Sequence, residues 1–237
     1  NLDTVKNILE ESGVAYVALG KPVAERTIKI EKDGKTVNLD IDELRDEWYE
    51  TSYRLDTKQS FNGCAEERFK NYKNIPLDIK YPDHFKGTLG SLGLDGDRRK
   101  PSGVRAAIIR EKGTNGEREM AYVLYLAGFD VKDVMMTDLV SGRETLDDIN
   151  MIVFCGGFSN SDVLGSAKGW AGAFLYNPKA KAALDRFYAR KDTLSLGVCN
   201  GCQLMVELNL INPDHKKRSH LLHNNSHKFE SNFVDVD

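Results

Sequence analysis

The stretch Thr193–Leu208, TLSLGVCNGCQLMVEL, begins as an apolar strand (Leu194, Leu196, Val198) and leaves as a helix carrying Leu204, Met205 and Leu208 on one face. Between the two lies Gly197-Val-Cys199-Asn-Gly201. A side chain thrust out of so tight a strand-to-helix turn needs neighbours without Cβ two residues to either side, and the Gly-x-Cys-x-Gly frame supplies them. Cys199 is therefore expected to stand exposed, on strained backbone, at the top of a sheet. The helix that follows points its free N–H groups and positive dipole end at the sulfur, a field that favours thiolate over thiol.

Three blander roles compete for the same residues. A lone cysteine is most often a small buried apolar group. Cys199-x-x-Cys202 also has the spacing of half a zinc site or of a redox dithiol. Zinc needs four ligands, and Cys64 and Cys155 stand far from each other and from any paired His. A redox dithiol belongs after the first strand of a small domain, whereas this one follows several strand-helix units.

Working outward, residues 103–190 alternate strands and helices. Val104–Arg110 is a short continuous apolar run, the pattern of a buried parallel strand. A helix over 116–127 ends at Gly128; strands follow at 130–136 and 150–155, and helices at 162–174 and 179–190. Alternation of this kind means an α/β fold, a flavodoxin-like doubly wound parallel sheet covered on both faces. Ligands in such sheets bind beyond the carboxyl ends of the strands, where 110–115, 155–159 and 199–203 converge. Gly156-Gly157, directly after a buried strand, can turn its N–H groups into that crevice; read locally, it is also an ordinary tight turn.

Ahead of this lies a small α+β piece with a helix at 4–12, VAYVALG (14–20), and a hairpin about Asp33-Gly34. A capped helix over 42–55 carries Leu44, Trp48 and Tyr53 or Leu55 on one stripe, with Trp48 as a packing residue. From 58 to 102 the periodicity fades into a glycine-rich connector with one short helix at 65–72. Arg98, Arg99 and Lys100 in it are a solvated turn or, alternatively, a phosphate-binding patch.

The composition limits the classes open to this chain. Of 237 residues 41% are hydrophobic and 29% charged, enough to bury a core. A net charge of -3 offers no electrostatic attraction to nucleic acid or to an anionic membrane. No apolar run nears the roughly 20 residues that span a bilayer, and the first residues read as a polar amphipathic helix. Four cysteines without paired spacing fit a reducing compartment, the cytoplasm, better than a disulfide scaffold.

Gly197–Gln203, together with Arg110-Glu-Lys-Gly-Thr-Asn115, Glu119-Met-Ala121, Cys155-Gly-Gly-Phe-Ser159, Asp162-Val-Leu-Gly165 and Gly169-Trp-Ala171, resembles the class I (triad-type) glutamine amidotransferases. Within that family the order and spacing are similar to the glutaminase domain of the large single-chain phosphoribosylformylglycinamidine synthases. The resemblance implies a glutaminase domain over 103–237, a connector over 58–102, and in 1–57 the end of a synthase region. It implies Cys199 as the nucleophile and the backbone N–H groups of Gly157 and Asn200 as the oxyanion hole. Gln203, with Phe158 and Ser159, would bind glutamine. No cofactor is implied for this part; ATP and Mg2+, with formylglycinamide ribonucleotide, would belong to synthase domains upstream.

One element of the family pattern is missing. The family's general base is a His in a late His-Pro-Glu segment, and none of His84, His215, His220, His223 and His227 is followed by Pro-Glu. His223 and His227, in a polar loop, are the alternatives. Since the chain starts without Met and stops within the strand-like FESNFVDVD, it reads as a piece of a longer polypeptide, incomplete at the C-terminus and inactive alone. Two further readings stay open, a flavodoxin-like reactive-cysteine protein of stress-response or protease type and a noncatalytic interaction module.

Overall fold

The computed structural model describes residues 1–74, 77–98, 100–231 and 233–234, with Lys73 lacking a described side chain. The chain forms two compact units, one of Asn1–Pro76 with Asn224–Asn232 and the other of Leu77–His223 with Phe233–Asp237.

In the first unit, α1 (Leu2–Glu11) is capped by Asn1 and leaves Leu2, Val5 and Ile8 exposed. β1 (Thr27–Lys32) and β2 (Lys35–Asp40) pair antiparallel across Asp33-Gly34, with Lys32 opposite Lys35. Both turn residues have positive φ, 51° and 74°, as a two-residue hairpin that matches strand twist requires. The 14–20 segment forms no strand. α2 (Ile41–Gln59) starts where the Asp40 carboxylate accepts from the N–H groups of Asp42 and Glu43, at 2.8 and 3.0 Å. It runs straight through the boundary expected at 57/58. Its packed stripe also differs from the expected one. Tyr49 and Tyr53 stack on Phe69 of α3 (Cys64–Asn71), whereas Trp48 is 79% exposed.

Asp56 of α2 is buried beneath residues 226–230. It accepts from Ser60 Oγ at 2.6 Å and from Lys228 Nζ at 2.5 Å, and pairs with Arg68, which also holds Glu230 at 2.6 Å. Burial alone would raise its pKa; the hydrogen bonds from Lys228 and Ser60 and the charge of Arg68 outweigh that and hold it below the usual carboxylate value. Phe61 donates its N–H to Ser226 O at 3.1 Å and stacks near His227, ring centres 4.5 Å apart. The expected strand at the chain's end is not formed in the described residues 229–231 and 233–234; residues 232 and 235–237 lie outside the described ones.

The second unit holds the parallel sheet. β3 (Arg105–Arg110) is followed by the two-residue β4 (Thr114–Asn115), α4 (Glu117–Leu126), β5 (Asp130–Met135) and α5 (Met136–Ser141). β6 (Met151–Phe154), the two-residue β7 (Gly156–Gly157), α6 (Lys168–Leu175), α7 (Pro178–Ala189), β8 (Leu194–Gly197) and α8 (Asn200–Glu207) complete it. The four long strands are parallel in the order β5-β3-β6-β8. Counted within the unit this is 2-1-3-4, the flavodoxin-like doubly wound order, whose switch point lies between β3 and β6.

Alternate strand residues feed two cores. Ala107, Ile109, Val134, Ile152 and Phe154 pack under α5 to α8, where Trp170 and Phe174 meet the Phe154 ring edge-on at 5.8 and 6.0 Å. Ala106, Ile108 and Val153 face Leu124 of α4 on the other side. That second face is covered only in part: over β8, Leu194 remains 65% exposed and Leu196 is also exposed. α6 begins at Lys168, six residues later than expected, because 160–162 and 166–167 all take positive φ.

Arg98, near the end of the connector, is anchored to this sheet rather than solvated, whereas Lys100 is exposed. The Arg98 guanidinium lies 4.7 Å from the Tyr125 ring centre, pairs with Asp130 at 3.0 Å and donates to Phe129 O at 2.7 Å. Asp130 also accepts the N–H groups of Ser102 and Gly103, and these, with Arg98, pull its carboxyl down to about 2. Arg98 is thus committed within the fold and not part of an anion patch. Arg99 lies outside the described residues.

Candidate functional site

Cys199 is the N-cap of α8, with φ 52° and ψ -110°, a conformation that residues carrying a Cβ rarely adopt. The two flanking glycines make it attainable. A Cβ on Gly197 would lie 2.7 Å from Gly201 O and 2.8 Å from Cys202 N. One on Gly201 would lie 2.6 Å from Phe154 C, and closer still to Phe154 O, so α8 sits directly on the backbone of β6. The cost of the strained residue is met by the packing around it, and the result is an exposed thiol at the carboxyl end of β8.

The neighbouring loops close on that thiol. β4 pairs with β7, Thr114 opposite Gly157 and Asn115 opposite Gly156, which joins the 110–115 and 155–159 loops across the switch point. A Cβ at Gly156 would lie 3.2 Å from Cys199 Cβ and 3.9 Å from its Sγ, so the glycine admits the cysteine. Phe158 N–H donates to Gly113 O at 2.8 Å. In an antiparallel ladder bonded and non-bonded pairs alternate, so the next pair, Thr114 with Gly157, turns the Gly157 N–H away from β4. At the elbow Gly201 N–H donates to Val198 O and Gln203 N–H to Cys199 O. Asn200 N–H is one of the first-turn donors that no carbonyl of the helix can take.

A cleft of about 320 Å3 opens beside these groups, between Asn115, Gly116, Glu119 and Met120 on one side and Cys155, Gly156, Gly157 and Val198 on the other. Cys155 is the second thiol here, but it is buried. Burial first, then the charge of Glu117, pushes it up to about 11 against the opposing pull of Arg110, so it stays a neutral thiol near pH 7. Of the residues singled out as glutamine contacts, Phe158 is 71% exposed at the loop tip. Ser159 is buried under the loop rather than on its surface, its hydroxyl lacking a partner. Gln203 lies partly buried in the first turn of α8, its Oε1 accepting from Asn200 Nδ2 at 2.9 Å.

The sequence reading missed the side chains of Asn200 and Asp162, which join α8 to the 158–167 loop. A polar residue placed first in an otherwise apolar-faced helix was the available signal. Among the described residues no group of three or more His, Cys, Asp or Glu could hold a metal ion. None of the residues lining the cleft is a histidine. Among the described residues no helix is long and apolar enough to cross a membrane.

With this geometry in place, comparison with known proteins is informative. Residues 103–237, more than half of the chain, match the family of CobB/CobQ-like glutamine amidotransferase domains. Phosphoribosylformylglycinamidine synthase of Homo sapiens is 47% identical over 178 residues, 73% of this chain and 13% of that protein. The probable chloroplastic/mitochondrial phosphoribosylformylglycinamidine synthase of Arabidopsis thaliana is 36% identical over 248 residues, 100% of this chain and 17% of that protein. The synthase of Drosophila melanogaster is 34% identical over 249 residues, again 100% of this chain and 18% of that protein. The solved structure of PurLQS from Thermotoga maritima is 26% identical, covers 46% of either chain and has a TM-score of 0.37. The chain thus spans less than a fifth of the length of these curated relatives. An exposed cysteine at a strand-to-helix elbow, the loops that meet it and the match over 103–237 agree: this chain belongs to the CobB/CobQ-like glutamine amidotransferase domain family.

Proposed function

We propose that this chain releases ammonia from glutamine within a phosphoribosylformylglycinamidine synthase. The observation that carries the reading is Cys199, exposed on strained backbone at the end of β8 with Gly156 packed against it. Its sulfur attacks the side-chain amide carbon of glutamine, the C–N bond breaks, and ammonia leaves with the proton it needs. The resulting glutamyl thioester takes up water and gives glutamate and the free thiol.

Attack places negative charge on the amide oxygen, and the N–H groups of Gly157 and Asn200 receive it. Each preorganised donor of this kind is worth roughly 3 kcal/mol in the transition state. Gln203, with its Oε1 engaged by Asn200, offers its NH2 group to the carboxylate end of glutamine. Phe158 covers the site from the loop tip, and Ser159 supports that loop from below. The general base is not among these residues.

Ammonia is mostly protonated in bulk water near pH 7, so its use calls for internal transfer to the synthase site. There it converts formylglycinamide ribonucleotide to the amidine. ATP and Mg2+ serve that step in domains upstream, and the part of this chain ahead of residue 103 is the end of that region and its connector. A cytoplasmic, reducing setting suits a domain that works through an exposed thiol.

A glutamine-like chloroketone, followed by peptide mass mapping, tests the reading on the full natural polypeptide. The expected adduct is on Cys199 and glutamine slows its formation. Labelling that is indifferent to glutamine would favour a reactive-cysteine protein of the same fold, and the absence of labelling a noncatalytic module.

A further inference from the structure

We propose that the Asn200 side chain is a positioning residue for thioester formation, clamping the elbow helix to the 158–162 loop so that the two oxyanion donors stay in register. The inference rests on the glutaminase reading above. Asn200 is 1% exposed, and its amide is used on both ends. Oδ1 accepts the Ser159 N–H at 3.1 Å; Nδ2 donates to Gln203 Oε1 at 2.9 Å and reaches Asp162 Oδ1 at 3.4 Å. Asp162 Oδ1 also accepts the Ala167 N–H at 3.0 Å, which carries the clamp to the start of α6.

The loop needs such a hold. Asn160, Ser161 and Asp162 follow one another with φ of 52°, 55° and 50°. Left-handed backbone is unfavourable for a residue with a Cβ, so three in succession persist only where the surroundings fix them. On one side the loop hangs from the 110–115 segment through Phe158 N–H to Gly113 O and Asn160 N–H to Lys112 O, at 2.8 and 2.7 Å. On the other side it hangs from Asn200. Gly157 directly precedes Phe158 and Ser159, the first residue held on either side. The residue whose backbone N–H forms one donor therefore fixes, through its side chain, the loop that bears the other. It also sets Gln203, its neighbour three residues on in the first turn.

Glutamine hydrolysis by the full natural polypeptide separates these roles. Asn200→Ala removes both ends of the clamp, and a misplacement near 1 Å costs about 10²-fold, so kcat is expected to fall about 10²-fold. Gln203→Met leaves the Asn200 bonds to Ser159 N–H and Asp162 in place and removes only the Gln203 end. It should keep kcat to within about tenfold of wild type while raising KM for glutamine. A general loss of structure would not divide kcat from KM in this manner. If Asn200→Ala kept kcat within about threefold, or Gln203→Met lost as much kcat as Asn200→Ala, the clamp would be wrong although the glutaminase reading stood. A folded wild-type polypeptide that hydrolysed no glutamine would overturn that reading and the clamp with it.

Discussion

Cys199→Ala is expected to lower glutamine-dependent ammonia release by the natural polypeptide by about 10⁴-fold or more, the scale seen when a covalent nucleophile is removed. No other thiol in the domain can take its place. Cys155 is buried and pushed up to about 11, which keeps it protonated and turned into the core. Cys202 is exposed but lies within α8, whereas Cys199 alone occupies the strained N-cap against Gly156. Cys202→Ala should therefore leave the rate within about threefold of wild type, as for a surface change remote from the reacting atoms. Steady-state assays of ammonia from the two variants decide the matter. A silent Cys199→Ala beside a dead Cys202→Ala would reverse the assignment.

Gly201→Ala carries the largest expected effect on stability. The added methyl would lie 2.6 Å from Phe154 C and 2.8 Å from Phe154 Cβ. Phe154 cannot retreat: β6 is paired on both sides, to β3 and to β8, and its ring is wedged between Trp170 and Phe174. The helix must lift instead, breaking the seat of Leu204 and the elbow together. Overpacking against fixed backbone lies at the upper end of the usual 1–3 kcal/mol, so a loss of about 3 kcal/mol or more is expected in urea unfolding. Gly90→Ala, where a Cβ meets nothing within 4 Å, is the control and should change stability by no more than about 0.5 kcal/mol. Equal, small effects at both positions would mean that α8 is not seated on β6.

Most of the second unit could be read from the chain because its signals are local. The apolar run over 104–110 and the alternation of strand and helix that follows it led to the four parallel strands, and the Gly-x-Cys-x-Gly frame to the elbow, since steric exclusion acts within a few residues. The early start expected for α6 failed for a tertiary reason. The helix was expected to start at Asp162, yet the Asp162 carboxylate serves Ala167 and Asn200 while the chain runs through left-handed positions. The β4–β7 ladder is two residues long and carries no periodicity of its own. Trp48 was expected to pack and is exposed, because the aromatic stripe of α2 is Tyr49 and Tyr53.

The largest gap concerned residues 224–230. They fold onto α2 and α3, with Lys228 bonded to Asp56 across 172 positions of sequence. Such a pairing leaves no trace in composition or spacing. The candidate site divides in the same way. The proposed nucleophile follows from the elbow motif, and the proposed backbone donors from the family resemblance. The Asn200 clamp does not, since the sequence around Cys199 says nothing of which buried N–H across the crevice its amide will meet.

During turnover the thiol at the end of β8 is expected to become covalently bonded to the glutamyl group. Acid-quenching the natural polypeptide during turnover with glutamine and fragmenting the peptide that holds both Cys199 and Cys202 tests it directly. A glutamyl thioester on Cys199, absent when glutamine is omitted, is the expected result; a thioester on Cys202 or Cys155, or turnover with no covalent intermediate, would contradict it.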